Sequence, residues 1–288
     1  MKIAHVIMAY KNPGQIERLI KSLNHPNFYF YIHLDQKIDI KDFEYLGKLD
    51  KVFFIKNRVL CNWGGYSFVK AIMSTLKEIL DTGEGYQTLN LLSGQDYPIK
   101  SAADIYSFFA ANKDKNFISY DQDPHKKWWN HAVKRSELYH FTDLSFKGKY
   151  FVQAIFNKCL PKRSFPSAML LYGSSDSSWW TISAECAAYL VEFMPSNPKL
   201  NRFMAYTWGS DEFLIATIIM NSPYRDKVIN DNMRYITWTD GLANPRIFTI
   251  SDIDALRATH KLFARKFDTT VDETILDELD SIYVNQDR

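Results

Sequence analysis

Two adjacent carboxylates, Asp211 and Glu212, head an apolar run of Phe213, Leu214, Ile215, Ala216, Ile218 and Ile219. The run is too apolar for a surface helix, and Gly209-Ser210 before it reads as a turn and an N-cap. A carboxylate in the first turn of a packed helix is held by the face behind it. The N–H groups and dipole of that turn favour its ionised form. Those properties suit a general base, so Glu212 is the candidate for that role and Asp211 for the neighbouring cap. The plainer alternative is that both residues only cap a core helix.

Other residue types fit the handling of a nucleotide. Asp35 ends the apolar run FYFYIHL, and Asp96 closes the turn Ser93-Gly94-Gln95-Asp96 after another apolar run. A carboxylate at either place could accept from ribose hydroxyls, and either alone could equally be a turn residue. Asp121-Gln122-Asp123 has the spacing of a metal-binding pair, but it does not follow an inner strand, which argues against a metal there. Without a metal, a leaving diphosphate must be neutralised by cations, and Arg246, Arg265 and Lys266 are the candidates. The chain contains no P-loop, GxGxxG, GxSxG or HExxH pattern, so ATP phosphoryl transfer, dinucleotide binding, common serine hydrolysis and zincin chemistry find no support.

The elements that must position these residues alternate. Ile3–Tyr10, Phe28–Leu34, Val52–Ile55 and Thr88–Leu92 read as strands, and Asn116–Tyr120 as strand-like. Helical periodicity runs from Pro13 to Leu23, from about Ser67 to Leu80, and from about Ala102 to Ala111. Strands alternating with amphipathic helices predict an α/β fold with an open, twisted, mostly parallel sheet flanked by helices. Ligands in such sheets bind beyond the carboxyl ends of the strands, where Asp35 and Asp96 fall. The stretch from Asp121 to Pro166 lacks clear periodicity and reads as long loops and irregular strands over the site. Ser178–Ile182 reads as a strand with Ser183 capping the helix after it. Met233–Trp238 and Arg246–Ile250 are strand-like, Ser251 opens a helix to about Ala258, and a last amphipathic helix carries Val271, Ile275, Leu276, Leu279 and Ile282.

The chain has 288 residues, 46% hydrophobic and 24% charged, which is a folded globular composition. A net charge of +2 argues against nucleic-acid binding through bulk electrostatics. Cys61, Cys159 and Cys186 are odd in number and show neither a disulfide framework nor metal spacing, which fits a reducing compartment. The N-terminal apolar run is too short for a signal peptide, and no run of about 18 apolar residues could span a membrane. The expectation is a cytoplasmic protein, with LPKRSFP as a basic patch that could touch the inner membrane face.

Several segments together resemble glycosyltransferase family 14, which holds the core-2/I-branching β-1,6-N-acetylglucosaminyltransferases and the peptide O-xylosyltransferases. The segments are IHLDQK at 32–37, WGGYSFVKA at 63–71, LLSGQDYPI at 91–99, GSSDSSWWTIS at 173–183, SDEFLIATIIMNSP at 210–223, NDNMRYITW at 230–238 and HKLFARKFD at 260–268. They stand in the family's order and cover nearly the whole chain. WGG, NDNMRYITW and FARKFD lean toward the xylosyltransferase branch, and DEFLIATI toward the N-acetylglucosaminyl branch. The family's membrane anchor, stem and disulfide cysteines are not found among these residues, and the expectation is a chain similar to a compact bacterial-type catalytic domain.

The resemblance implies a GT-A-like fold in one catalytic domain over 1–288, with a nucleotide-sugar half (1–120) and an acceptor and catalytic half (121–288). It implies an inverting mechanism with no metal and no other cofactor. Glu212 matches the catalytic base, and Arg246 and Lys266 match the basic pair on the donor's diphosphate. Asp35 matches a uridine-contacting aspartate, the Met8 region the strand under the uracil, and Trp63 a donor-side aromatic; Asp96 completes the expected donor set. Trp179 and Trp238 are the acceptor-side aromatics. The expected activity is inverting transfer from a UDP-sugar, N-acetylglucosamine first and xylose as the alternative, to an oligosaccharide or lipid-linked glycan. A rival from another class is an inactive sugar- or nucleotide-binding module, and a third is a purely structural partner.

Overall fold

The computed structural model describes residues 1–121, 127–239 and 244–283. Its strands are β1 (Ile3–Ala9), β2 (Phe28–Leu34), β3 (Val52–Phe54), β4 (Thr88–Ser93), β5 (Asp96–Pro98), β6 (Asn116–Ile118), β7 (Trp180–Ser183), β8 (Val228–Ile229), β9 (Arg234–Ile236) and β10 (Phe263–Arg265). Its helices are α1 (Pro13–Ser22), α2 (Tyr66–Asp81), α3 (Ala102–Ala111), α4 (Lys127–Glu137), α5 (Lys149–Cys159), α6 (Ala184–Ser196), α7 (Pro198–Met204), α8 (Leu214–Met220), α9 (Ile253–Ala258) and α10 (Thr274–Tyr283).

β1 explains the architecture. All seven of its residues are buried, as expected of a parallel strand covered on both faces. Successive side chains alternate between faces. Ile3, Ile7 and Ala9 enter a core with α1, α3 and α10, whereas Ala4, Val6 and Met8 enter a second core with α2, α6 and α8. The sheet order is β3-β2-β1-β4-β7-β6-β8. β3, β2, β1 and β4 pair in parallel, β7 runs antiparallel to both β4 and β6, and β8 is parallel to β6. The fold is the expected α/β sheet, mostly parallel and flanked by helices.

Four expectations change. The turn after β4 leads directly into β5, part of a separate sheet of order β5-β10-β9 that sequence periodicity does not reveal. These strands are three residues each, too short for alternation to show. The stretch expected to be loops contains two helices, α4 and α5. Arg246–Ile250 is not a strand; Arg246 N donates to Thr237 O and Phe248 N to Lys266 O, each at 2.8 Å, next to an isolated bridge between Trp238 and Pro245. The helix expected to open at Ser251 is instead preceded by a capping box made by Thr249 and Asp252. Ser183 does cap α6, accepting from the Cys186 N–H at 3.2 Å.

Candidate active site

Beyond the carboxyl ends of β1, β2 and β4 lies a cavity of about 580 Å3. Met8, Asp35, Trp63, Trp179, Glu212, Trp238 and Lys266, all singled out from sequence, line it. Asp211, Arg265, Arg135 and Trp208 line it too. Residues from both expected halves of the chain therefore share one cavity.

The carboxylate wall is built differently from its sequence reading. Gly209 adopts a left-handed conformation (φ 64°), and Ser210–Glu212 form a single 3-10 turn before α8 begins at Leu214. Ser210 makes no cap hydrogen bond; its hydroxyl is buried without a partner among the described residues. Side chains from elsewhere hold the carboxylates, beside a backbone hydrogen bond at Asp211 itself. Glu212 Oε2 accepts from Trp128 Nε1 at 2.8 Å and from Arg135 Nη1. Among the described residues no donor meets Oε1. Asp211 Oδ2 accepts from Ser178 Oγ at 2.7 Å. Burial is the largest influence on both acids and raises their pKa values; Arg135 opposes it at Glu212, and the Ser178 hydrogen bond opposes it at Asp211. The expected preference for the ionised form is thus reversed in direction: desolvation outweighs the helix end.

Trp128 and Arg135 are seven residues apart on α4, two turns along one face, so both reach the same carboxylate. Sequence reading missed them because α4 lay in the stretch taken for loops; the seven-residue spacing in WWNHAVKR was the available signal. Arg135 also lies over the Trp208 ring at 4.4 Å. The wall closes only where side chains are missing. A Cβ on Gly173 would fall 2.3 Å from the Trp128 ring, 2.5 Å from the Glu212 carbonyl oxygen and 2.6 Å from Phe213 Cβ. At Gly64, with φ 68°, a Cβ would fall 2.2 Å from Trp208 Nε1, and the Gly64 carbonyl accepts from Gly209 N at 2.8 Å. The WGG segment is thereby joined to the turn that carries Glu212. Trp63, two-thirds exposed, meets Trp208 edge to face with centroids 5.2 Å apart.

A second part of the lining carries Arg265 and Lys266. Arg265 is buried, stacked over Trp179 at 4.1 Å, with Nη1 3.6 Å from Asp96 Oδ1. Its Nε and Nη1 have no hydrogen-bond partner among the described residues. Burial lowers the pKa of Arg265, and burial together with the charges of Arg265 and Lys11 lowers that of Lys266. Asp96 does not line the cavity. It is fully buried beneath it, accepts from Ser93 N at 2.6 Å, and offers its other oxygen toward Arg265. Its place is that of a counter-charge under the floor. The Arg246 side chain also lies outside the lining and pairs with Asp252 at 2.5 Å, while its neighbours Asn244 and Pro245 line the cavity. Asp35 is 7% exposed, and its Oδ1 accepts from Lys37 N at 3.0 Å and Cys61 N at 3.4 Å. Trp238 Nε1 donates to Asp176 Oδ1 at 2.7 Å. Of the Asp121-Gln122-Asp123 trio, Gln122 and Asp123 lie outside the described residues. Among the described residues no three His, Cys, Asp or Glu side chains gather as metal ligands.

A parallel-sheet edge bearing an acidic wall and a basic wall is the setting in which the comparisons fall. The family model described as Core-2/I-Branching enzyme matches residues 3–259, and the chain belongs to that family, glycosyltransferase family 14. Xylosyltransferase 2 of Rattus norvegicus is 25% identical over 97% of this chain and 33% of its own length. Xylosyltransferase 2 of Homo sapiens shows the same identity and coverage. Xylosyltransferase 1 of Rattus norvegicus is 24% identical over 98% of this chain and 35% of its own. The chain thus spans about a third of the length of these relatives. Among solved structures, apo mouse xyloside xylosyltransferase 1 is similar with a TM-score of 0.42 and 12% identity, over 91% of this chain and 97% of that one.

Proposed function

We propose that this chain is an inverting glycosyltransferase that moves a sugar from a UDP-sugar to a glycan hydroxyl. The observation that carries the proposal is that one cavity is lined both by Glu212, held by Trp128 and Arg135, and by Arg265 and Lys266. The reaction is a single displacement. Glu212 Oε1 takes the proton of the acceptor hydroxyl as its oxygen attacks the sugar C1, and the C1–O bond to the diphosphate breaks on the opposite face. Arg265 and Lys266 offset the charge that grows on the leaving diphosphate, a role that needs fixed donors in a partly desolvated site. Asp35 and Met8 at the ends of β2 and β1 take the nucleoside. Trp179 and Trp238 offer aromatic surface to sugar rings.

Burial raises the pKa of this base, and a stronger base takes the proton more readily. The names of the sequence relatives move the preferred donor from UDP-N-acetylglucosamine toward UDP-xylose. Incubation with each UDP-sugar, with and without oligosaccharide acceptors, followed by quantification of released UDP, tests both levels. UDP release from neither donor would overturn the transferase reading in favour of a binding module. Release from UDP-N-acetylglucosamine alone would return the donor to the first expectation.

A further inference from the structure

Helix α5 is built inside out. Its inward positions are polar: Gln153 Oε1 accepts from Phe141 N at 2.7 Å, and Asn157 both accepts from Tyr139 N at 2.7 Å and donates to Tyr139 O at 2.9 Å. Phe156, itself partly exposed, adds apolar contact on that side, edge to face with Tyr139 and Phe141, and Val152 is half-buried. The other face shows Tyr150, Phe151, Ala154 and Ile155 at i, i+1, i+4 and i+5, all exposed, with Phe151 at 72% and Tyr150 at 63%. Phe146 just before the helix and Leu160 just after it are exposed as well, and no residue of α5 is buried. A helix serving only the fold would turn its rings inward and its amides to water.

Charge says what covers the apolar face. From Leu144 to Ser175 the chain carries five Lys and Arg and no Asp or Glu, so a protein of net charge +2 is net negative elsewhere. Lys147, Lys158 and Lys162 are exposed beside the apolar residues. Exposed aromatics bordered by lysines match an anionic lipid surface, where rings enter the headgroup boundary and ammonium groups meet phosphates. We propose that the outer face of α5, with Phe146 and Leu160 at its ends, seats this protein on a membrane rich in anionic lipid. No helix among the described residues is long and apolar enough to cross a bilayer, so the contact lies on the surface. The helix is also tied to the active site. Arg163 N donates to Glu137 O at 2.8 Å and Lys162 pairs with Glu137 at the end of α4, the helix that holds Glu212 through Trp128 and Arg135. The base side of the cavity would then be anchored close to the lipid.

The surface stands apart from the reading of the cavity, and its test needs no activity. The full chain is sedimented with vesicles of phosphatidylcholine alone or of phosphatidylcholine with phosphatidylglycerol, at physiological salt. Binding to the anionic vesicles is expected, with little to the neutral ones. F151S/I155S and K147E/K158E should each lower the partition coefficient by about tenfold or more. Both change exposed side chains only, and unchanged melting temperatures confirm that they fold. Absence of binding, equal binding to neutral vesicles, or wild-type binding by F151S/I155S would overturn the proposal. Concentration-dependent self-association in sedimentation velocity that F151S abolishes would instead assign the face to a second copy of the chain.

Discussion

The two walls of the cavity are provided for very differently. On the acidic wall each carboxylate already has a donor: Ser178 for Asp211, and Trp128 with Arg135 for Glu212. On the basic wall Arg265 keeps two buried N–H-bearing atoms without a hydrogen bond among the described residues, and Lys266 sits beside its positive charge. Buried donors of this kind are costly to leave unsatisfied. The acidic wall already has its donors from the fold, and under the proposed function an incoming anion would complete the basic wall. The proposed function gives the first wall the chemistry and the second the binding, and substitutions should separate the two.

The largest effect is expected from Glu212→Gln. It should lower kcat and kcat/KM together by about 10²–10⁴-fold while leaving UDP affinity, read by calorimetry, nearly unchanged. Because burial raises the Glu212 pKa, the acid limb of the wild-type rate should lie above the ordinary glutamate value. That limb should vanish in the residual activity of the variant. Near-normal turnover by folded Glu212→Gln would remove it as the base.

Next come the cations. Arg265→Ala and Lys266→Ala should each weaken UDP binding by about 1.5–3 kcal/mol, the cost of a charge-assisted contact. Lys261→Ala should cost far less, because Lys261 is engaged with Asp231 at 2.6 Å. Equal losses at 261 and 266 would mean that the segment acts through structure alone. Lys266 also carries a sign for pH: its lowered pKa means that UDP affinity should fall, on going alkaline, before free lysine would titrate.

A smaller effect of opposite sign is expected at Asp211. Its folded pKa is raised by burial above the ordinary 3.8, so the folded state binds more protons than the unfolded one in the window above 3.8. Stability contributed by this group therefore falls as pH rises through that window. Asp211→Asn keeps an acceptor for Ser178 and loses the buried charge. It should raise the melting temperature near pH 7 by about 1–3 °C, a difference that closes below pH 3.8. An inactive Asp211→Asn beside a competent Glu212→Gln would exchange their roles. The smallest expected effect is none: if Arg265 and Lys266 do the work of a metal, EDTA should leave transfer unchanged. Loss in EDTA with recovery in manganese would break the contrast between the walls and direct attention to Asp121 and Asp123.

The sequence made legible whatever rests on repetition along one element. β1, β2 and β4, the helices between them and the positions of Met8 and Asp35 at strand ends followed from runs of apolar residues and turns. Glu212 followed from an apolar helix and a resemblance. What depends on partners far along the chain did not follow. Arg135 and Trp128 reach Glu212 from 77 and 84 residues away. Asp96 was placed at the sheet edge, but β5 turns it under the floor. Helix α5 was invisible to a search for inward apolar residues because most of its apolar residues face outward.

Gly173 shows how a residue with no functional group can govern one that has it. The Trp128 ring and the Glu212 carbonyl occupy the room where its side chain would stand, at 2.3 and 2.5 Å from the missing carbon. A single added methyl would have to push the indole away from the carboxylate or lift the turn that presents it, since contacts that short are forbidden in a packed interior. The position is chemically mute and sterically spent. A survey of permissive substitutions would find it as closed as Glu212 itself, and a search for reactive groups would pass over it.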